Sequence, residues 1–89
     1  VYRNAHTRFR RLARSVAPKI RVNVIAPGWI TTAFGADAPA AFRDEIARRI
    51  PLGRWGTPED VASAAVYLVS DAARYLTGQT IIVNGGDVM

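Results

Sequence analysis

The chain has 89 residues, of which 49% are hydrophobic, and its twelve Lys or Arg and seven Asp or Glu residues give a net charge of +5. This composition is typical of an ordered chain, and the length suffices for one small domain. The absence of cysteine excludes disulfides and thiolate metal sites, and the single histidine, His6, argues against a histidine-based one, so we predict no metal site. With no bilayer-length apolar run and no signal-peptide core, we expect a cytoplasmic protein.

The basic residues are unevenly distributed. Seven of the twelve lie within residues 1–21, and this stretch contains no acidic residue. Such a block is typical of a solvated helix face, or of a face paired with acidic residues on a partner segment, and it also occurs in nucleic-acid-binding proteins. The motifs that usually accompany nucleic-acid binding are not visible in the sequence. We therefore favour the solvated face and keep a nucleic-acid-binding module as an alternative.

The first half of the chain predicts a helix, a strand and a second helix. Apolar residues at positions 5, 9, 12, 13 and 16 have helical spacing, and Pro18 ends this helix. Alternating apolar residues then predict a strand of about six residues over 20–25, closed by Pro27 and Gly28. Residues 33–50 predict a loop followed by a helix, with an apolar face formed by Phe42, Ile46 and Ile50.

The second half predicts a third helix and a second strand. Thr57 is a preferred N-cap residue, Pro58 suits the first helical position, and Asp60 occupies the acidic position of a capping box. The helix should end near residue 70, and residues 79–83 should form the strand. Two strands separated by helices favour a parallel pair with a helical crossover. A sheet of only two parallel strands would be unusual by itself.

Three sequence blocks carry a resemblance to a known family. Residues 20–28 followed by Thr32 resemble the sixth strand and Pro-Gly loop of the short-chain dehydrogenases/reductases. Residues 51–62 are similar to the linker and last major helix of that family, and residues 75–86 to its final strand. The nearest subgroup is that of ketoacyl reductases and sugar or polyol dehydrogenases. The resemblance implies an α/β fold, the C-terminal part of a Rossmann-type doubly wound parallel sheet, with residues 1–89 as one partial domain.

The resemblance also implies an activity and partners. The family transfers hydride between NAD or NADP and a carbonyl or alcohol substrate, and the sequence does not distinguish the two cofactors or identify the substrate. A homo-oligomer is expected through Pro58–Val69 and residues 79–83. A non-catalytic self-association module that uses the same segments is the alternative.

The same resemblance assigns positions to a cofactor site. Pro27 and Gly28 would shape the wall beside the nicotinamide, the backbone of Ile30 would hydrogen-bond its carboxamide, and the hydroxyl of Thr32 would contact the carboxamide or the pyrophosphate. Residues 33–50 resemble a substrate lid, and the aromatic residues in and near it are expected to line an apolar substrate pocket. These are Trp29, Phe34 and Phe42. Ordinary packing of these aromatics under a helix is the competing interpretation.

The catalytic motifs of the family are missing from the 89 residues. The sequence contains neither the glycine-rich phosphate-binding turn nor a tyrosine followed four residues later by lysine. The catalytic serine that the family has upstream of this tyrosine is missing as well. Tyr2 and His6 have a similar spacing, but they are out of register with the family motif. We therefore predict no catalytic residue, and we expect these 89 residues alone to be inactive.

Overall fold

The computed structural model describes residues 2–32 and 37–87, with side chains described from His6 onward. The elements in chain order are α1 (Tyr2–Val16), β1 (Val24–Pro27), α2 (Ala40–Arg49), α3 (Pro58–Val69) and β2 (Thr80–Val83), with a short 3₁₀ turn at Asp71–Ala73 between α3 and β2. This order confirms the prediction of helix, strand, helix, helix and strand.

The two strands form a parallel pair, as predicted. Val24 lies opposite Thr80 and Pro27 lies opposite Val83. The hydrogen bonding extends beyond β1, because Gly28 donates its backbone N–H to the carbonyl of Val83 at 3.0 Å. Parallel strands need a long connection, which here includes α2 and α3. Both strands therefore end at the same edge of the sheet.

The bounds of β1 differ from the prediction over residues 20–25, since the paired strand runs from Val24 to Pro27. Residues before Val24 are joined to the β2 side largely through side chains. The amide of Asn23 donates to the carbonyl of Leu76 and its oxygen accepts from the N–H of Gln79, both at 3.1 Å. These long-range bonds replace part of the regular ladder, and alternation along the sequence does not reveal them.

Pro27 lies inside β1 rather than after it, and the hydrogen-bond pattern explains why. The N–H groups of Val24 and Gly28 both point toward the β2 side of the ladder. Peptide groups alternate along a strand, so the N–H that Pro27 lacks would have pointed to the opposite edge. The proline therefore removes no hydrogen bond between β1 and β2.

Helix α1 packs on the segment that leads into β2. Ala13 is fully buried, and a Cβ placed on Gly78 would lie 3.6 Å from the Ala13 methyl. His6 hydrogen-bonds the Thr80 hydroxyl at 3.1 Å on the same side of the helix. Leu12, which the apolar pattern included, is 51% exposed. It lies about 100° around the helix from Ala13, outside this contact.

The buried core is small for a chain of this length. Among the described residues, the buried hydrophobic side chains are Ala13, Ile46, Ile50, Leu68 and Ala73. The accessible surface is 6764 Å², whereas a compact monomer of this mass exposes about 5100 Å². The excess includes the outer face of α3, where Val66 and Val69 are 66% and 81% exposed. Within the described ranges, each helix is too short or too polar to cross a bilayer.

The ends of the two strands approach each other closely at Gly28. A Cβ built on this glycine would lie 2.7 Å from the Cβ and 3.0 Å from the Cα of Asn84. Such distances are shorter than carbon atoms tolerate, and the Cα cannot move without moving the backbone. Only glycine lets the exit of β1 lie directly against the exit of β2.

Gly28→Ala should therefore lower the free energy of unfolding by about 1–3 kcal/mol, the usual cost of overpacking. Denaturant unfolding followed by circular dichroism measures the change. Gly56→Ala is the matched control, because the one short contact of its added methyl would be with the terminal Cδ1 of Ile30, at 2.7 Å, which can rotate aside, while its other neighbours, Asp60 Oδ2 and the Trp29 carbonyl, lie at an ordinary 3.6 Å. An equal loss of stability in the two variants would contradict this explanation.

Candidate functional site

The candidate site begins where the chain leaves β1. After Gly28, the backbone forms a parallel bridge between Ile30 and Gly56. Gly56 donates its N–H to the carbonyl of Trp29 at 2.9 Å and accepts from the N–H of Thr31 at 2.9 Å. The exit loop of β1, residues 28–32, is thus held on one side by the segment that leads into α3.

This bridge determines the direction of the peptide groups of Ile30. A parallel bridge uses the groups of the two neighbouring residues, so the N–H and C=O of Ile30 itself point away from Gly56. Within residues 2–32 and 37–87, no hydrogen bond joins either group to another residue. Ile30 therefore presents one donor and one acceptor, held side by side on a braced loop.

The two threonines that follow have different environments. The Thr31 hydroxyl donates to the carbonyl of Gly56 at 2.7 Å, so this side chain strengthens the bridge. Thr32 is exposed, and its hydroxyl makes no hydrogen bond to any other residue that the structure describes. The Thr31 hydroxyl is therefore used in a hydrogen bond within the chain, whereas the Thr32 hydroxyl is accessible to a ligand.

Aromatic side chains connect the exit loop to α2. The Trp29 ring packs edge-on against Phe42 and Trp55, with centroid distances of 6.0 and 5.3 Å. The Trp55 indole N–H donates to the carbonyl of Arg43 at 3.0 Å, which anchors the cluster on the helix. These contacts are the aromatic packing that the sequence left open as an alternative to a substrate wall. One does not exclude the other, because Phe42 is 41% exposed.

A capping box starts α3, as the sequence predicts, and its carboxylate also pairs with an arginine that the sequence did not indicate. The Thr57 hydroxyl accepts from the N–H of Asp60, and the Asp60 carboxylate accepts from the N–H of Thr57 at 2.7 Å. Arg54 then pairs with both oxygens of this carboxylate, at 2.8 and 3.3 Å. Hydrogen bonds from Arg54 and from the Thr57 backbone hold the pKa of Asp60 well below its usual range.

A cavity of 180 Å³ lies between these parts. Trp29 and Ile30 line it from the exit loop, the Arg54–Asp60 pair lines another side, and Asn84 lines it from the turn after β2. The cavity is therefore bordered by the ends of both strands and by the start of α3.

The structure places most of the predicted site residues on one short segment. Pro27 is the exposed last residue of β1, Gly28 lies against the turn after β2, and Trp29 and Ile30 border the cavity. Thr32 follows on the exposed side of the loop, and Phe34 lies outside the described residues. Arg54 and Gly56 were not among the predicted site residues. The available signals were their place in the 51–62 block and their position just before a helix start.

The sequence and the structure both match known proteins. A family model described as enoyl-(acyl carrier protein) reductase matches residues 5–87. A solved short-chain dehydrogenase/reductase of the glucose/ribitol dehydrogenase type from Brucella melitensis superimposes with a TM-score of 0.86 at 42% sequence identity. The chain belongs to the short-chain dehydrogenase/reductase family. This confirms the resemblance identified from the three sequence blocks.

Two further relatives are similar over most of the chain. It is 50% identical over 70 residues to a 3-oxoacyl-(acyl-carrier-protein) reductase, FabG, from Rickettsia felis, and 43% identical over 82 residues to the uncharacterized oxidoreductase YmfI from Bacillus subtilis. These matches cover 79% and 91% of this chain but only 29% and 34% of the relatives. The chain thus spans about a third of the length of these proteins.

The solved structures show the same partial coverage. A 3-oxoacyl-(acyl-carrier protein) reductase from Brucella melitensis superimposes with a TM-score of 0.89 at 36% identity, over 97% of this chain and 32% of that one. The glucose/ribitol dehydrogenase match covers 94% of this chain and 34% of the other. As a short-chain dehydrogenase/reductase segment, the chain has the α/β, Rossmann-type fold that the sequence predicted.

The Arg54–Asp60 pair predicts a pH dependence of stability. Because the pKa of Asp60 is lower in the folded chain than its unfolded value of about 3.9, the ionised form stabilises the fold above about pH 4. This contribution is lost as the pH falls further. Asp60→Asn should lower the Tm at neutral pH and flatten the decrease of Tm between about pH 4 and pH 2.

The measurement is thermal unfolding at a series of pH values. Asp44→Asn is the control, because Asp44 is an exposed carboxyl of α2 with no ion pair to any residue of the described ranges. That variant should retain the acid-induced decrease. If the Asp60 and Asp44 variants gave the same profile, the pair would not be the cause.

Proposed function

We propose that this chain contributes the nicotinamide-facing rim and part of the substrate wall to an NAD(P)-dependent oxidoreductase that interconverts a carbonyl and an alcohol. The observation that carries the proposal is the pair of outward peptide groups at Ile30, held by the bridge to Gly56. The relatives named as 3-oxoacyl-(acyl-carrier-protein) reductases make a ketone carbonyl the first substrate group to test.

The chemistry of a carboxamide matches this pair of groups. A carboxamide has an N–H donor and a C=O acceptor in one plane. The C=O of Ile30 can accept from the first and its N–H can donate to the second, which would orient the ring. A rigid backbone suits this task better than a mobile side chain, because the loop is already ordered by Gly56 and by the Trp29 ring contacts.

The other predicted positions fit around this contact. Thr32 lies two residues beyond Ile30 with an exposed hydroxyl, suited to the carboxamide or to a phosphate oxygen. Pro27 and Gly28 would form the wall beside the ring, and Trp29 with Phe34 would border the substrate in a lid formed by residues 33–50. When bound, NAD(P)H supplies the hydride, while these residues orient the ring and exclude water.

The 89 residues should not catalyse the reaction by themselves. They contain no tyrosine followed four residues later by lysine and no glycine-rich phosphate-binding turn. Without these groups we expect only weak nicotinamide binding, because most contacts to the phosphates would be missing. NAD and NADP should bind to this rim equally, since the nicotinamide is common to both.

The test compares Thr32→Ala with Thr31→Ala. In an NMR titration with nicotinamide mononucleotide, wild-type amide signals of residues 28–32 should shift at millimolar ligand. Thr32→Ala should weaken binding by about threefold to tenfold without changing Tm, because its hydroxyl makes no hydrogen bond within the described residues. Thr31→Ala should instead lower Tm, because its hydroxyl holds Gly56.

Two results would contradict the proposal. One is the absence of shifts at residues 28–32 while other regions respond to the ligand. The other is reduction of a ketone by NADH with the 89-residue chain alone, which would show that catalysis needs none of the absent motifs.

A second candidate function is self-association, and an exposed apolar face favours it. On α3, Val66, Tyr67 and Val69 are 66%, 48% and 81% exposed. Ile82 of β2 is 53% exposed on the other side of the sheet, the side on which Thr80 contacts α1. Exposed apolar groups clustered on one helix are typical of an interface. We propose that α3 (Pro58–Val69) and residues 79–83 join two copies of the chain, as a homo-oligomer contact of an oxidoreductase or as a module without catalysis.

Val66→Lys combined with Val69→Lys should convert a dimer to a monomer, because two charges would be placed in an apolar contact. Sedimentation equilibrium measures the mass over a range of concentrations. Tyr75→Lys is the control, since Tyr75 is 99% exposed but lies outside the proposed contact. A wild-type chain that stays monomeric at high micromolar concentration would exclude this interface.

A further inference from the structure

A cleft lies between α1 and the segment that leads into β2, away from the proposed nicotinamide-facing rim at Ile30. Its volume is 440 Å³. His6, Arg10 and Arg14 line it from α1, together with Thr7 and Arg11, and residues 77–79 form the opposite wall. His6, Arg10 and Arg14 are spaced four residues apart, so they form one row along the helix. The cleft is thus a basic groove closed on two sides.

The positive charge of this cleft is not neutralised within the described chain. None of the residues that line it is acidic, and the first acidic residue in the sequence is Asp37. The ion pair present in the described ranges joins Arg54 to Asp60, and neither Arg10, Arg11 nor Arg14 forms one there. Three guanidinium groups therefore concentrate positive potential in a small space.

Hydrogen bonds already hold two side chains of the cleft in place. The Nε–H of Arg10 donates to the carbonyl of Gly78 at 3.4 Å, which directs the side chain across the cleft and leaves its terminal N–H groups available. The Thr77 hydroxyl accepts from the N–H of Val22 at 3.1 Å and keeps its own hydrogen to donate. Donors therefore border the cleft from both walls.

We propose that this cleft binds a compact phosphate-bearing anion, such as the diphosphate group of a small molecule. Guanidinium groups bind phosphate oxygens through paired N–H donors, and two arginines one helical turn apart can hold adjacent phosphates. The site lies apart from Ile30, so it does not depend on the cofactor contact proposed above.

A small anion fits these observations better than a nucleic acid does. The residues that line the cleft include no Phe, Tyr or Trp on which bases could stack, and His6 is the single ring among them. The walls formed by α1 and residues 77–79 also make a short cleft instead of a groove that follows a long strand. The ligand should therefore be held by its phosphates alone.

The test is isothermal titration calorimetry of inorganic pyrophosphate into the 89-residue chain at 0.15 M salt. Arg14→Gln should raise Kd about tenfold, because it removes a charge-assisted contact. Arg8→Gln is the matched control, since it removes the same charge from an exposed position of α1 outside the cleft, and it should change Kd less than about twofold. Arg14 makes no hydrogen bond within the described residues, so its replacement should leave Tm unchanged.

Several outcomes would overturn the proposal. These are no pyrophosphate binding by the folded wild-type chain at 0.15 M salt and an equal loss of affinity in the Arg8 and Arg14 variants. A parallel titration with a random single-stranded oligonucleotide provides the other arm. Oligonucleotide binding that pyrophosphate cannot displace would assign the basic residues to nucleic acid instead.

Discussion

The close approach of Gly28 to Asn84 is the contact on which the geometry of the site depends. It lies where two parallel strands end, and it lets the exit of β1 meet the turn after β2 without an intervening side chain. The same turn packs onto the end of α2, because Gly85, at φ +66, lies against Ile50, one of the few buried side chains. The exit loop of β1, the turn after β2 and the end of α2 therefore lie together at one edge of the sheet.

The exit loop is then braced from a second direction. Gly56 pairs with Trp29 and Thr31, and the capping box that begins at the next residue fixes the start of α3. Arg54 adds a bidentate pair to the carboxylate of that box. The hydrogen bonds to Gly56 use the C=O of Trp29 and the N–H of Thr31. The N–H and C=O of Ile30, which lies between them, therefore point away from Gly56. A constraint that stabilises the fold thus also creates the feature on which the proposed cofactor contact rests.

The remaining surfaces of the chain are of two kinds, one basic and one apolar. The cations of α1 surround a cleft near the start of β2, whereas the apolar side chains of α3 are exposed on another face. Charged groups remain hydrated or bind anions, and exposed apolar groups gain free energy when another surface covers them. The thin core and the large accessible surface are consistent with a segment that spans about a third of its relatives.

Sequence alone determined the features that depend on local interactions or on motif order. The helices follow from periodicity, and the Thr57–Asp60 capping box joins residues three positions apart. The parallel pairing follows from the long helical connection between the strands. The family also followed from the sequence, because three blocks occur in the order and spacing that it requires.

Only the tertiary structure decided the features that depend on residues far apart in sequence. The bonds of Asn23 to Leu76 and Gln79 shift the start of β1. The contact between Ala13 and Gly78 leaves Leu12 exposed. The outward direction of the Ile30 peptide groups depends on Gly56, 26 positions later in the sequence. Periodicity reports which side of an element is apolar, whereas partners and peptide directions are set by which segments meet in space.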